Sequence, residues 1–160
     1  MNITCVGISH HTAPLEQRER LWFSPDEIRS LLPKLADLGA DECVVFSTCN
    51  RTEVYVSSTE SDPGPDVLKQ ILLQLKPHTS DIPQDALFTC QGAEATRHLF
   101  SVASGIDSMV VGDVQILSQI KEGLHFAVEK NTAGFFMNKL FQSAFHAGKR
   151  ARTETKISEG

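Results

Sequence analysis

Cys49 sits in a polar run, Ser47-Thr48-Cys49-Asn50-Arg51-Thr52-Glu53, between two apolar strand-like runs, Cys43-Val44-Val45-Phe46 and Val54-Tyr55-Val56. A thiol at a strand end is presented to solvent, and it attacks as the thiolate. An arginine two residues on offers a planar fork that grips a carboxylate through two parallel hydrogen bonds. These residue types at this spacing describe a nucleophile beside an anchor for an acidic substrate. The alternative is structural: free cysteine is usually a buried small hydrophobe, and Arg51 can pair with a neighbour such as Glu53. Cys5, Cys43 and Cys90 lie in apolar stretches and fit that alternative. Cys49 differs because Thr48, Asn50 and Arg51 beside it are polar.

The flanking pattern says what would hold this run in place. Ile3 to Ser9 alternates like a strand, and His10-His11-Thr12-Ala13-Pro14 follows as a loop. Ser24, Pro25 and Glu27 form a capping-box start for a helix whose apolar face is Ile28, Leu31, Leu32, Leu35 and Leu38. Pro33 falls inside it and is expected to kink or split it, and Gly39 is placed to end it. Strands follow near 42–47 and 53–58. After the break at Pro63-Gly64-Pro65, a second helix carries Val67, Leu68, Ile71, Leu72 and Leu75 and stops before Pro77. Leu87 to Cys90 is a short strand. The order β-α-β-β-α-β predicts an α+β, ferredoxin-like fold: a four-stranded antiparallel sheet with two helices on one face. Helices over 92–104, 115–130 and 135–152 are added at the C-terminal end, with apolar residues spaced for a core.

Composition narrows the class. The chain has 160 residues, 41% hydrophobic and 22% charged, which suits one soluble domain with a real core. Four cysteines without CxxC spacing, and no Cys/His cluster with zinc spacing, point to free thiols in a reducing cytoplasm and to no metal. No basic leader opens the chain, and no apolar run approaches the roughly 20 residues of a membrane span. A net charge of −5 speaks against a dedicated nucleic-acid module. Lys149-Arg150-Ala151-Arg152 and Lys156 are a local basic exception, read either as a solvated helix end or as a polyanion contact.

Four blocks, in order along the whole chain, resemble one family, glutamyl-tRNA reductase. They are Gly7-Ile8-Ser9-His10-His11-Thr12-Ala13-Pro14, the Cys49 run, Ser104 to Lys121, and Arg150-Ala151-Arg152-Thr153-Glu154-Thr155. The resemblance is to the front of that family only. It implies a catalytic glutamyl-tRNA-binding domain over 1–145 and, over 146–160, the start of a linker helix leading to an NADPH domain absent from this chain. No G-x-G-x-x-G turn follows any strand here. An isolated, truncated catalytic domain is therefore expected.

The resemblance also assigns roles. Cys49 is implied to attack the ester joining glutamate to tRNA, giving a thioester that NADPH would reduce to glutamate-1-semialdehyde, the first step of tetrapyrrole and haem biosynthesis by the C5 route. His98 matches the family's catalytic-site histidine, able to accept the thiol proton or polarise the ester carbonyl; from sequence alone a lone helical histidine is more often structural. Thr48, Asn50 and Arg51 match the glutamate-recognition residues. Ser108, Asp113, Val114, Gln115 and Gln119 match the remaining substrate contacts. The chain departs from the family pattern at Asp113, where glutamate is usual, and at Val114 and Ser118. The implied partners are glutamyl-tRNA and, for the full-length protein, glutamate-1-semialdehyde aminomutase and a second copy of itself. The fragment alone is expected to be a monomer that acylates or hydrolyses but does not reduce. Two other functions remain open: a stand-alone thiol hydrolase using Cys49 and His98, and a non-catalytic RNA-binding split βαβ module. The second lacks the aromatic pattern of RNA-binding sheets, with only Phe46 and Tyr55 in the central strands.

Overall fold

The computed structural model describes residues 1–60, 63–108 and 115–155. In chain order the elements are β1 (Asn2–Ser9), α1 (Leu15–Arg20), α2 (Pro25–Asp37), β2 (Glu42–Ser47), β3 (Arg51–Ser58), α3 (Pro65–Gln74), β4 (Phe88–Gln91), α4 (Ala93–Ser104), α5 (Gln115–Glu129) and α6 (Phe135–Thr155). A single 3₁₀ turn, Gln84–Ala86, precedes β4.

The sheet is built around β3 and β1. They pair antiparallel from Asn2↔Ser58 to Ser9↔Arg51, β2 joins β3 on one side, and β4 joins β1 on the other. The resulting order β2-β3-β1-β4 is the split βαβ arrangement that the element order predicts. All eight residues of β3 are buried, which requires cover on both faces of the sheet. On one face the Cys43 thiol points at the Leu32 carbonyl of α2 (3.5 Å). On the other, Phe46 packs on Gly123 of α5, and the Tyr55 ring meets Phe141 of α6 edge-on at 5.5 Å. The added C-terminal helices thus roof the face that a plain ferredoxin-like domain leaves open.

Local chemistry explains most boundaries. Ser24 Oγ accepts the Glu27 N–H, and Glu27 returns a bond to the Ser24 N–H, so the capping box is complete. At the other end of α2 the Ala40 N–H reaches the Leu35 carbonyl and Gly39 adopts φ 110°, a Schellman ending. Of the two outcomes expected at Pro33, a kink or a split, the split does not occur: α2 runs through it. Pro33 lies on the exposed face, where water can take the carbonyl bond that proline leaves unmade. Short α1 is also new, since its six residues are too few to show an apolar period. β3 begins two residues earlier than the apolar run suggests, because Arg51 and Thr52 pair with Ser9 and Ile8.

α6 starts under a carboxylate from the sheet: Glu42 Oε1 accepts the N–H groups of Gly134 (2.5 Å) and Met137 (2.9 Å). That places negative charge at the positive end of the helix dipole. The helix runs unbroken past residue 145, and its later turns still pack on the domain. A Cβ at Gly148 would lie 2.6 Å from the Ala103 carbonyl, and the Arg152 guanidinium donates to that same carbonyl. Arg150 pairs with Glu154 one turn on (3.1 Å), so part of the basic run is used locally. No helix among the described residues is long and apolar enough to cross a membrane.

Candidate active site

β2 and β3 are joined by three residues, Thr48-Cys49-Asn50, with Cys49 and Asn50 at the tip. The Thr48 N–H donates to the Arg51 carbonyl (2.7 Å), and Thr48 Oγ1 accepts the N–H groups of Asn50 and Arg51 (both 3.1 Å). Tight hairpins normally need residues with positive φ. Here the described non-glycine residues with positive φ are His78 and Asn131, neither in this turn. The Thr48 hydroxyl supplies the turn instead, as serine and threonine side chains can. Cys49 is held out at the tip and is the one exposed cysteine; Cys5 and Cys43 are buried and Cys90 is half-buried. The tip opens on a cleft of about 260 Å³, whose lining includes Ser47, Thr48, Cys49, Trp22, Phe46 and Gln119.

Behind the tip lies a buried chain of charges. Residues two apart on a strand share a face, so Arg51, Glu53 and Tyr55 point the same way. Arg51 Nη1 donates to Glu53 Oε2 (2.6 Å), while Nη2 donates to the carbonyl (2.7 Å) and the carboxylate (2.8 Å) of Asp107. Glu53 also receives the Tyr55 hydroxyl (2.8 Å) and meets His98 Nε2 (2.9 Å). Gly7, opposite Glu53 in the register, makes the room: a Cβ there would lie 2.5 Å from the Thr52 carbonyl and 2.9 Å from the Phe88 ring. Phe88 in turn flanks the His98 imidazole, with ring centres 4.9 Å apart.

Electrostatics follow from this geometry. Burial works against charge on His98, but the hydrogen bond and charge of Glu53 outweigh it and raise the imidazole pKa above its ordinary value. Burial likewise opposes the Glu53 carboxylate, yet His98 and Arg51 hold its pKa below the usual range. Each group thus favours the charged form of the other relative to the free side chain. Cys5, Glu53 and His98 bring three potential ligand atoms within 4.8 Å of one another. Their chemistry is poor for a cation: Glu53 Oε2 already serves Arg51 and His98, and burial, then the Glu53 charge, raise the Cys5 thiol pKa well above normal.

The residues singled out from sequence therefore fall into two groups. Thr48, Cys49 and Gln119 line the cleft, with Asn50 half-buried at the tip. Arg51 and His98 lie in the charge chain and are not among the cleft-lining residues; the ion pair with Glu53 raised as the structural alternative for Arg51 is formed. Ser108 follows Asp107 at the end of that chain, and Gln115 is an exposed residue at the start of α5. Asp113 and Val114 lie outside the described residues. The hub role of Glu53, the Asp107 partner, the space at Gly7 and the exposed Trp22 were not foreseen. The alternation Arg51-x-Glu53-x-Tyr55 in a strand is the signal that would have found the hub.

Comparison with known proteins agrees with the residue pattern. The family described as glutamyl-tRNAGlu reductase, N-terminal domain, matches residues 6–155. A glutamyl-tRNA reductase of Trichlorobacter lovleyi is 40% identical over 159 residues, covering 99% of this chain and 37% of that protein. The protein of the same name from Geotalea uraniireducens is 42% identical with the same coverage. The solved structure of glutamyl-tRNA reductase from Methanopyrus kandleri superposes with a TM-score of 0.78 at 34% identity, over 99% of this chain and 36% of that one. The chain spans somewhat over a third of the length of these relatives, and it belongs to the family of glutamyl-tRNA reductase N-terminal domains.

Proposed function

We propose that this chain carries out the acyl-transfer half of glutamyl-tRNA reduction, with Cys49 as the nucleophile. The observation that carries the reading is the exposed thiol at the hairpin tip, facing a cleft, in a chain of this family. The Cys49 thiolate attacks the glutamyl carbonyl carbon. The C–S bond forms, the C–O bond to the ribose breaks, and the electron pair with one proton goes to the ribose oxygen. Splitting a reduction into acylation and hydride transfer is ordinary covalent catalysis. Arg51 is proposed as the carboxylate anchor. Its fork is held by Glu53 and Asp107, and Asp107, at the half-exposed end, is the partner that a substrate carboxylate would replace. His98 supports this arrangement through Glu53. Thr48 and Asn50 shape the tip, and Ser108, Asp113, Val114, Gln115 and Gln119 are assigned to the substrate by family pattern.

NADPH would supply the hydride. The residues described here do not fit it, since no strand leads into a glycine-rich turn of the kind that cradles a dinucleotide, so no step through it is derived. The homodimer, the cytoplasmic setting and the hand-over of glutamate-1-semialdehyde to its aminomutase rest on the family alone. The RNA-binding alternative loses its physical basis, because both faces of the sheet are roofed by helices.

The test is to mix the chain with tRNA charged with labelled glutamate, without NADPH, quench in acid and map the adduct by mass spectrometry. A glutamyl adduct on Cys49 is expected. An adduct on another residue, or neither adduct nor released glutamate, would overturn the assignment.

A further inference from the structure

Trp22 is large, apolar and 43% exposed, and it lines the same cleft as Cys49. Its position is fixed from both sides. Leu21 and Phe23 are buried, the Leu21 carbonyl accepts the Thr52 hydroxyl (2.9 Å), and the Phe23 N–H donates to Ser47 Oγ (3.0 Å). The Ser47 and Thr52 hydroxyls, themselves 2.6 Å apart, close the loop. Trp22 is therefore tied to the last paired residues of the hairpin whose tip is Cys49. An exposed indole whose main chain is anchored on both sides beside Cys49 has part of its ordering cost, that of the backbone, met before any ligand arrives.

The cleft chemistry selects the ligand. Phe23, Ile28, Phe46 and Phe126 join Trp22 in the lining, and Glu122 is its charged member among the described residues. No cation lines it there, so it is a poor place for the glutamyl carboxylate, and an indole face repels anions as well. A flat, uncharged ring system fits. The acyl-transfer reading, on which this inference rests, supplies one: the leaving group is the ribose of the tRNA's terminal adenosine, whose base lies next to the bond that breaks. About 260 Å³ is below the range of roughly 300–1,000 Å³ for drug-sized sites and suits one nucleoside. We propose that Trp22 is the stacking platform for the terminal adenine and sets the affinity for the nucleoside end of the substrate.

Trp22 is the single tryptophan of the chain, so its emission reports the contact. The experiment titrates the chain with an uncharged acceptor-stem RNA hairpin ending in CCA, and with the same hairpin lacking the terminal adenosine. Saturable quenching by the first, with about 5- to 150-fold weaker binding of the second, is expected from the stacking energy of one base. Equal quenching by both, quenching by neither, or binding seen by anisotropy without an emission change would overturn the proposal. In parallel, acylation is followed with glutamyl-tRNA and with a glutamate α-thiobenzyl ester, which has no nucleoside. Trp22→Ala is expected to raise the half-saturating tRNA concentration by the same factor, leave the maximal rate near wild type and spare the small ester, while Trp22→Phe retains most binding. Equal losses on both substrates would make Trp22 a wall of the cleft and no platform. If the wild-type chain is acylated by neither substrate, the acyl-transfer reading fails, and the fluorescence titration still decides the stacking.

Discussion

Cys43 and Cys49 lie on one hairpin, yet they are chemically opposite. Cys43 is sealed against α2, where burial pushes its thiol pKa up to about 12; Cys49 stands exposed at the tip. The same contrast divides the polar residues: Arg51 and Glu53 are buried and paired to each other, whereas Ser47, Thr48 and Cys49 open on the cleft. Strand face and cover, more than distance from the tip, divide them: Ser47 lies further from the tip than Arg51 and still lines the cleft, whereas Arg51 is enclosed by Glu53 and Asp107. A buried, paired base under an exposed thiol is the kind of support that keeps a site's geometry.

The contrast can be broken at its sharpest point first. Cys49→Ser is expected to abolish glutamyl transfer while leaving the circular dichroism and unfolding midpoint unchanged. Alkylation at mildly alkaline pH should label Cys49 in the wild type and reach Cys5 and Cys43 only after unfolding; early labelling of either would refute their sealing. Next, Glu53→Gln leaves Arg51 and His98 buried with one charge partner fewer. A loss of about 3–5 kcal/mol in denaturant unfolding is expected, as for other buried pairs broken on one side.

Gly7→Ala adds a methyl where the Thr52 carbonyl and the Phe88 ring already sit. Overpacking should cost about 1–3 kcal/mol, and a neutral result would show that β4 can move aside.

The smallest effect is a pH dependence. His98 has a pKa raised above 6.5, so its contribution to stability is complete below 6.5 and is lost as pH rises through the raised value. Glu53 has a pKa lowered from 4.5, so its share is complete above 4.5 and is lost as pH falls through the lowered value. The pair should stabilise fully between those two pH values. Unfolding free energy measured against pH should decline above that window in the wild type, and His98→Gln should remove that component of the decline.

Much of this fold was legible because its signals are local. The capping box at Ser24 and Glu27, the glycine at 39 and the apolar stripes of α2, α5 and α6 each depend on residues within a few turns. What escaped depends on residues distant in sequence. Nothing near Glu53 announces that His98 and Asp107 join the cluster that Arg51 and Tyr55 form with it, and nothing near Gly7 reveals that its missing side chain admits Glu53 and Phe88. Pro33 left two outcomes open because its effect depends on which face of α2 it occupies. The Cys49 run was readable as chemistry, but its division between a cleft and a buried charge chain was not, since strand register and the docking of α4 determine it. The short α1 and the exposed Trp22 carry no periodic signal.

Gly123 gives the cleft its dimensions. A Cβ there would lie 2.6 Å from the Val45 carbonyl and 2.9 Å from the Phe46 Cβ, so α5 rests directly on the strand backbone. Phe46 belongs to one wall of the cleft, and Gln119, Glu122 and Phe126 of α5 belong to the facing wall. The gap between the Cys49 hairpin and α5 is therefore gauged by an absent methyl group. Alanine at 123 would act as a shim, widening the slot beside Cys49 without altering any residue that lines it.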